Sequence, residues 1–357
     1  MALTEKLSNI GDAIRAKTGK TDLLTLDEMA VEIEGISGGI EPFEINLVKY
    51  ATNAFSADSW EIPFKQGLVS KITIDIEKTN ANSGYECMGA FENNEKIREF
   101  PPIELNVVCA TTSNNIDARY MFASNDQVRE YDVIATPESF NGYVLTPYMF
   151  QGNYRLKRLP DFVKNIALKY KYSMGTANIY YYLVYNCPSL DEIVLPVAGY
   201  ALSSMFANTF RNNHHLGSVK FVTEEGGTPI DLDWKWSNQT LDLSTNVVSI
   251  GYRGATNVEW DEERFTTDKE VTDLTSYEAL KDDPDWWSTD SNFSRYNHDS
   301  AVETINSLPN VAAYDANTGN TVKFLGTMGS GYNKAINTLT EEEIAVATAK
   351  GWTITIA

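Results

Sequence analysis

An eight-residue phrase recurs loosely five times between residues 90 and 216, and this repetition limits the folds open to the chain more than any other feature. The copies begin at Ala90, Met121, Met149, Leu183 and Thr209, so their starts are 31, 28, 34 and 26 residues apart. Each places an aromatic or aliphatic residue second (Phe91, Phe122, Phe150, Val184, Phe210) and an aliphatic residue eighth (Ile97, Val128, Leu156, Leu190, Leu216). Asn or a small polar residue fills the turn between them. A period in this range predicts a solenoid, in which each repeat buries its apolar face only against its neighbours.

After the eighth position comes a short run read as extended, most clearly the β-branched segments at residues 191–195 and 217–222. Each repeat therefore supplies one short strand and a turn, and the strands are expected to stack into a parallel sheet. The Asn side chains are placed to bond backbone groups in the turns that would otherwise lack partners.

The flanks divide the chain further. Residues 1–37 read as an N-terminal helical segment for attachment or oligomerisation. Leu3, Leu7, Ile10 and Ile14 fall on one stripe of a helix spanning 3–17, and Thr25 with Glu28 forms a capping box for a second helix. Ser37-Gly38-Gly39 then breaks the chain. Residues 40–80 are expected to form a small β element, because residues 71–76 alternate apolar and polar. The repeat solenoid is assigned to 84–255 and an acidic connection to 256–296. Residues 297–357 read as C-terminal α/β solenoid turns, with capping boxes at Ser300/Glu303 and Thr340/Glu343 and a stop at Gly351. The fold class expected is α/β: an irregular repeat solenoid, of the leucine-rich type by the resemblance given below, with an N-terminal helical segment and a small β element.

The formal charge of −20 repels nucleic acid phosphates and anionic membranes, so neither is expected as a partner. Three cysteines, Cys87, Cys109 and Cys187, have no paired spacing and predict neither a disulfide framework nor a zinc site. No stretch reaches the length of a membrane-spanning helix, and the N-terminus lacks a secretory-signal pattern. Synthesis in a cytosol and release by lysis fit that pattern.

Motifs that carry chemistry are poorly supported. Gly19-Lys20-Thr21 lacks the first glycine of a phosphate-binding loop, since position 14 is Ile14. Gly35-Ile36-Ser37-Gly38-Gly39 follows a helix where a nucleophile elbow needs a strand. His214 and His215 are adjacent and would point to opposite faces of a strand. The acidic group Asp282, Asp283 and Asp285 lacks the spacing of a calcium loop. No catalytic residue, cofactor or metal is expected, and the chain is read as a binding protein rather than an enzyme. The remaining signal is aromatic: Tyr170 and Tyr172 alternate with lysines, and Tyr180, Tyr181 and Tyr182 are consecutive. In an extended segment Tyr181 points away from its two neighbours, so some of these rings are exposed unless both faces are covered. These five tyrosines are the candidate receptor-binding residues, with Trp234, Trp236, Trp286 and Trp287 as further aromatics.

The repeat phrase Met-Phe-x-x-Asn-x-x-Leu resembles the BspA-type leucine-rich repeat. The C-terminal stretch, from His298-Asp299-Ser300 to Leu308 and from Thr340 to Ile354, resembles the end segment of many such proteins encoded by phages and prophages. The opening, Leu7-x-x-Ile10-x-x-Ala13-Ile14-Arg15 through Asp22 and then Leu26-Asp27-Glu28-Met29-Ala30 to Ile33, resembles the N-terminal segment of phage tail and minor structural proteins. The resemblance implies a virion protein of the tail or baseplate that contacts other virion proteins, forms a homo-oligomer, and uses its repeat surface to bind a host surface glycan or protein during adsorption. A purely structural role among virion subunits and a bacterial surface adhesin are the alternatives.

Overall fold

The computed structural model describes residues 8, 10–12, 14–16, 41–79, 86–109, 115–136, 139, 143–166, 180–195, 206, 208–213, 216–222, 238–244, 269–271, 286–288, 296–312, 318–324 and 339–356. The chain is a parallel β-solenoid of about six turns with few helices. Strands β1 (Phe43–Leu47), β2 (Val69–Lys78), β3 (Ile103–Cys109) and β5 (Val133–Ala135) form one sheet in that order, every pair parallel. Strands β4 (Asn115–Asp117) and β6 (Tyr143–Leu145) form a separate parallel pair, and β7 (Glu192–Leu195) pairs with β8 (Ser218–Phe221), linked back to the segment before β5 through Lys157. Strand β12 (Asn320–Phe324) lies between β9 (Thr240–Asp242) and β13 (Trp352–Ile356). Within the acidic connection, β10 (Lys269–Val271) pairs with β11 (Trp286–Ser288).

Alternation explains the long strands. In β3, Ile103, Leu105, Val107 and Cys109 are buried while Glu104, Asn106 and Val108 are half-exposed. Parallel pairing puts like positions side by side, so Ile72 meets Ile103 and Ile74 meets Leu105 inside. Outside, Lys71 pairs with Glu104 and Asn106 donates to Asp75 at 2.7 Å. The sheet runs without interruption from Phe43 to Ala135, so the segment 40–80 supplies the first rungs of the solenoid.

The repeated phrase forms a second ladder at a corner of each turn. Phe55 N–H donates to Ala90, Phe91 to Met121, Phe122 to Met149 and Phe150 to Leu183, all at 2.8–3.0 Å. The phrase thus has an earlier copy around Phe55. Its core ring is stacked on Phe91, Phe91 on Phe122 and Phe122 on Phe150, with centroids 5.1–5.3 Å apart. All four rings are fully buried, as are the eighth-position residues Val128, Leu156, Leu190 and Leu216.

The α/β expectation is corrected on its helical half. The only helices described inside the repeats or at their start are the short segments Glu61–Lys65 and Phe162–Asn165. The reason is local: the phrase closes into a corner through left-handed residues, which a helix does not admit. The run after the third copy forms only an isolated bridge, Arg158 to Glu192. Helices appear at the C-terminal end, at His298–Ser307 and Glu341–Ala349. The first is capped by Asn297 with Ser300 at its third position, one box earlier than the sequence pattern places it; the second is capped by Thr340 and Glu343 as expected.

The helix at His298–Ser307 covers the edge of β8, where unpaired backbone groups would otherwise meet solvent. Thr304 Oγ1 donates to Val219 O at 2.5 Å, and Phe221 N donates to Ser307 Oγ at 3.1 Å. Glu303 accepts from Ser218 at 2.6 Å and lies 2.7 Å from Lys220 Nζ. His298 joins the two helices, its ring nitrogens lying 3.1 Å from Asp299 and 3.2 Å from Glu343.

Two outcomes follow. Truncating Phe122 removes the middle ring of the stack, and Phe122→Ala costs about 3–5 kcal/mol in urea denaturation. The contact with Asp299, opposed by partial burial and assisted by Glu343, raises the His298 pKa above its ordinary value. The stability it adds is complete below about pH 6.5 and is lost as pH rises through the raised value. The melting temperature therefore falls between pH 6 and pH 8, and the fall is smaller in His298→Asn.

Candidate functional site

Each corner carries two residues of positive φ, four positions apart: Asn53 and Ala57, Gly89 and Asn93, Tyr120 and Ser124, Tyr148 and Gly152, Tyr182 and Asn186, Asn208 and Asn212. Gly and Asn are the usual occupants of this conformation. At Gly89 a Cβ would also meet the ends of the Asn53 and Glu92 side chains, which would have to shift. Tyrosine is unusual there, yet three consecutive rungs use it, with φ of 57° at Tyr120, 63° at Tyr148 and 54° at Tyr182. A bulky left-handed residue costs on the order of 1 kcal/mol or more.

Inside the corner a column of polar side chains satisfies the carbonyls. Asn94 donates to Phe91 and Phe55, Asn125 to Phe122, and Asn153 to Phe150 and Phe122, at 2.7–3.0 Å. The Tyr131 hydroxyl accepts from Asn125 and donates to Asn153, both at 2.7 Å. Cys187 takes the next place in the column: its thiol lies 3.0 Å from Phe150 O, and its N–H donates to Asn213 at 2.8 Å. These groups are fully buried, so the column holds the fold and is closed to a ligand.

The tyrosines lie on the outer side of the same corner. Tyr120 and Tyr148 stack with centroids 4.7 Å apart and planes 2° from parallel. Tyr182 follows at 4.9 Å, while Tyr181 stands edge-on to Tyr148 at 5.6 Å and Tyr185 edge-on to Tyr182 at 5.2 Å. All five are half-buried. Burial raises the Tyr148 pKa to about 12, assisted by a hydrogen bond with Tyr181, and burial also raises that of Tyr120. The Tyr120 and Tyr148 phenols remain protonated at neutral pH, so each hydroxyl both donates and accepts.

Of the candidate receptor-binding residues, Tyr181 and Tyr182 belong to this row. Tyr180 does not: it is fully buried and stacks on Phe206 at 4.6 Å. Alternation would place Tyr180 and Tyr182 on one side, but the segment is a turn whose left-handed Tyr182 reverses that order. Tyr170 and Tyr172 lie outside the described residues, as do Leu3, Leu7, Trp234, Trp236, His214, His215 and the aspartates at 282, 283 and 285. Ile14 is fully buried and Ile10 half-buried in the helical residues near the N-terminus. Trp286 and Trp287 lie in β11. Tyr120 and Tyr148 escaped notice in the sequence, although Tyr followed by two apolar residues precedes three copies: at Tyr120, Tyr148 and Tyr182.

Other reactive groups are closed off. The three cysteines form no disulfide, and burial pushes their thiols up, to about 11 at Cys109 and about 12 at Cys187. They remain thiols at neutral pH. Lys78 Nζ and Glu86 Oε1 make a buried ion pair at 2.7 Å without hydrogen-bond geometry at the nitrogen. Among the described residues, no group of three or more His, Cys, Asp or Glu side chains is placed to hold a metal ion, and no helix is long and apolar enough to cross a membrane.

The row separates strain from packing. Tyr120→Asn relieves a left-handed tyrosine and loses one ring contact worth about 0.5–1.5 kcal/mol, so its net effect on stability stays within about 1 kcal/mol. Tyr148→Asn gives up contacts with three rings and destabilises by about 1–3 kcal/mol. Urea denaturation of the two variants checks the ranking. No family model, curated protein or solved structure matches this chain.

Proposed function

We propose that this chain is a bacteriophage virion protein of the tail or baseplate, and that its solenoid surface binds the host cell surface during adsorption. The observation that carries this reading is the opening segment, Leu7 to Ile33, with its likeness to phage tail and minor structural proteins. The likeness of the C-terminal segment to prophage-encoded repeat proteins adds to it. On the same reading the repeats are of the BspA leucine-rich type, which the recurrence of buried Phe and Asn on successive turns supports. The chain acts as a binding protein without catalysis, is made in the host cytoplasm, and is released in particles by lysis.

The N-terminal stripe of Leu3, Leu7, Ile10 and Ile14 joins the chain to sister copies or to other virion proteins. Several copies on one particle then bind the cell through many weak contacts, which gain strength by avidity. Tyr181 and Tyr182, half-buried on the outer corner, are receptor-facing residues in this reading, together with Tyr170 and Tyr172.

Antibody-gold labelling of intact particles in the electron microscope tests the proposal. Gold at the distal tail is the expected result. Gold at the capsid or neck would assign the chain to assembly among virion subunits, and absence of label on intact and disrupted particles would remove it from the virion.

A further inference from the structure

The geometry points to a binding strip for a neutral polysaccharide along the outer corner, with Tyr120, Tyr148 and Tyr182 at its centre; this deepens the adhesion reading above and rests on it. Three observations carry the inference, beginning with strain. The corner accepts Asn or Gly at Asn53, Gly89 and Asn208, so the backbone does not require tyrosine at the three rungs between. Three left-handed tyrosines in sequence cost stability that the fold could avoid, and strain retained in this way marks sites of function.

Charge is the second observation. The chain carries 22% charged residues and a formal charge of −20. Among its described positions the outer corner bears Asp58, Glu92, Arg119 and Arg211, and of these only Arg119 lies on the three tyrosine rungs. Arg119 is already held by Asp117 through two hydrogen bonds, at 2.7 and 3.0 Å. Glu92 is half-buried, and that burial raises its pKa. A strip so poor in charge attracts neither a polyanion nor a polycation, and it fits an uncharged ligand.

The third observation is the kind of hydrogen-bonding group on display. Tyr hydroxyls and the amides of Asn53, Asn93, Gln151 and Asn186 are exposed or half-exposed along the corner. Each both donates and accepts, as the hydroxyls of a sugar do. Tyr120 and Tyr148 cover one another's faces, which leaves their half-exposed edges for a ligand; Tyr181 and Tyr185, turned edge-on to their neighbours, add crossed rings to the row. The rungs repeat at about 4.8 Å, so six of them span about 24 Å, the length of a short run of sugars in an extended glycan. A mixture of rigid Tyr with Asn, Gln, Ser and Gly is also the composition by which proteins bind polar ligands at low entropic cost.

The test uses the labelled full-length protein and a panel of bacterial cells. Binding is measured before and after periodate oxidation of the surface sugars, and in competition with the neutral and the acidic polysaccharide fractions extracted from the cells that bind. Binding lost on oxidation, competed by the neutral fraction, and weakened tenfold or more by Tyr120→Asn is the expected result. Tyr148→Phe, which keeps the ring and removes the hydroxyl with its hydrogen bond to Tyr181, weakens it severalfold while lowering the melting temperature less than Tyr148→Asn does. Binding that survives oxidation, that the acidic fraction competes better, or that both variants leave intact would overturn the strip as a neutral-glycan site while leaving adhesion standing. Failure to bind any cell would instead bring down the adhesion reading itself.

Discussion

The amide of one turn finds its carbonyl on the next turn, and the rest of the molecule is arranged around that requirement. A buried backbone group left without a partner costs about 1–3 kcal/mol, and that penalty would recur at every rung. At the corner, Phe55, Phe91, Phe122 and Phe150 each donate to a neighbouring rung. This translation by one rung places every side chain over its equivalent. The phenylalanines must therefore stack, the asparagines must form a column, and the outer tyrosines must fall in a row. The same rule fails at the ends, and there helices and caps take over: Thr304 and Ser307 bind the open edge of β8.

How much of this was legible depended on whether a signal was periodic. The second and eighth positions of the phrase repeat, and all of them except Ile97, at 2% exposure, are completely buried. Parallel strands after the copies were legible for the same reason, and so was the box at Thr340 and Glu343. The copy around Phe55 was missed because its flanks, Asn53 and Ala57, share little with the later copies. The α/β expectation overreached because a period near 30 fits a strand-and-helix unit as well as a strand-and-corner unit; only the left-handed pairs decide between them. Tyr180 and Tyr182 were placed on one side by a rule for extended chain that does not hold through a corner. The outer row lay hidden because its members are 28 and 34 residues apart and become neighbours only through the ladder.

The buried column and the outer row divide the work of the corner. Column groups such as Asn125 and Asn153 are sealed and serve only the backbone. Row groups such as Tyr148 pack against one another, remain half-exposed and hold protonated hydroxyls. A change in the column threatens the fold, and a change in the row alters the surface with far less structural consequence. That division lets the surface vary while its support stays constant.

The copies start 31, 28, 34 and 26 residues apart, yet their corners remain aligned rung to rung. The differences in length are absorbed between one corner and the next. Residues can thus be added to or deleted from a turn without shifting the corners on either side, because lengthening a loop costs little closure entropy. A chain built this way can exchange whole loops by recombination and still fold, so its surface can diverge faster than its frame.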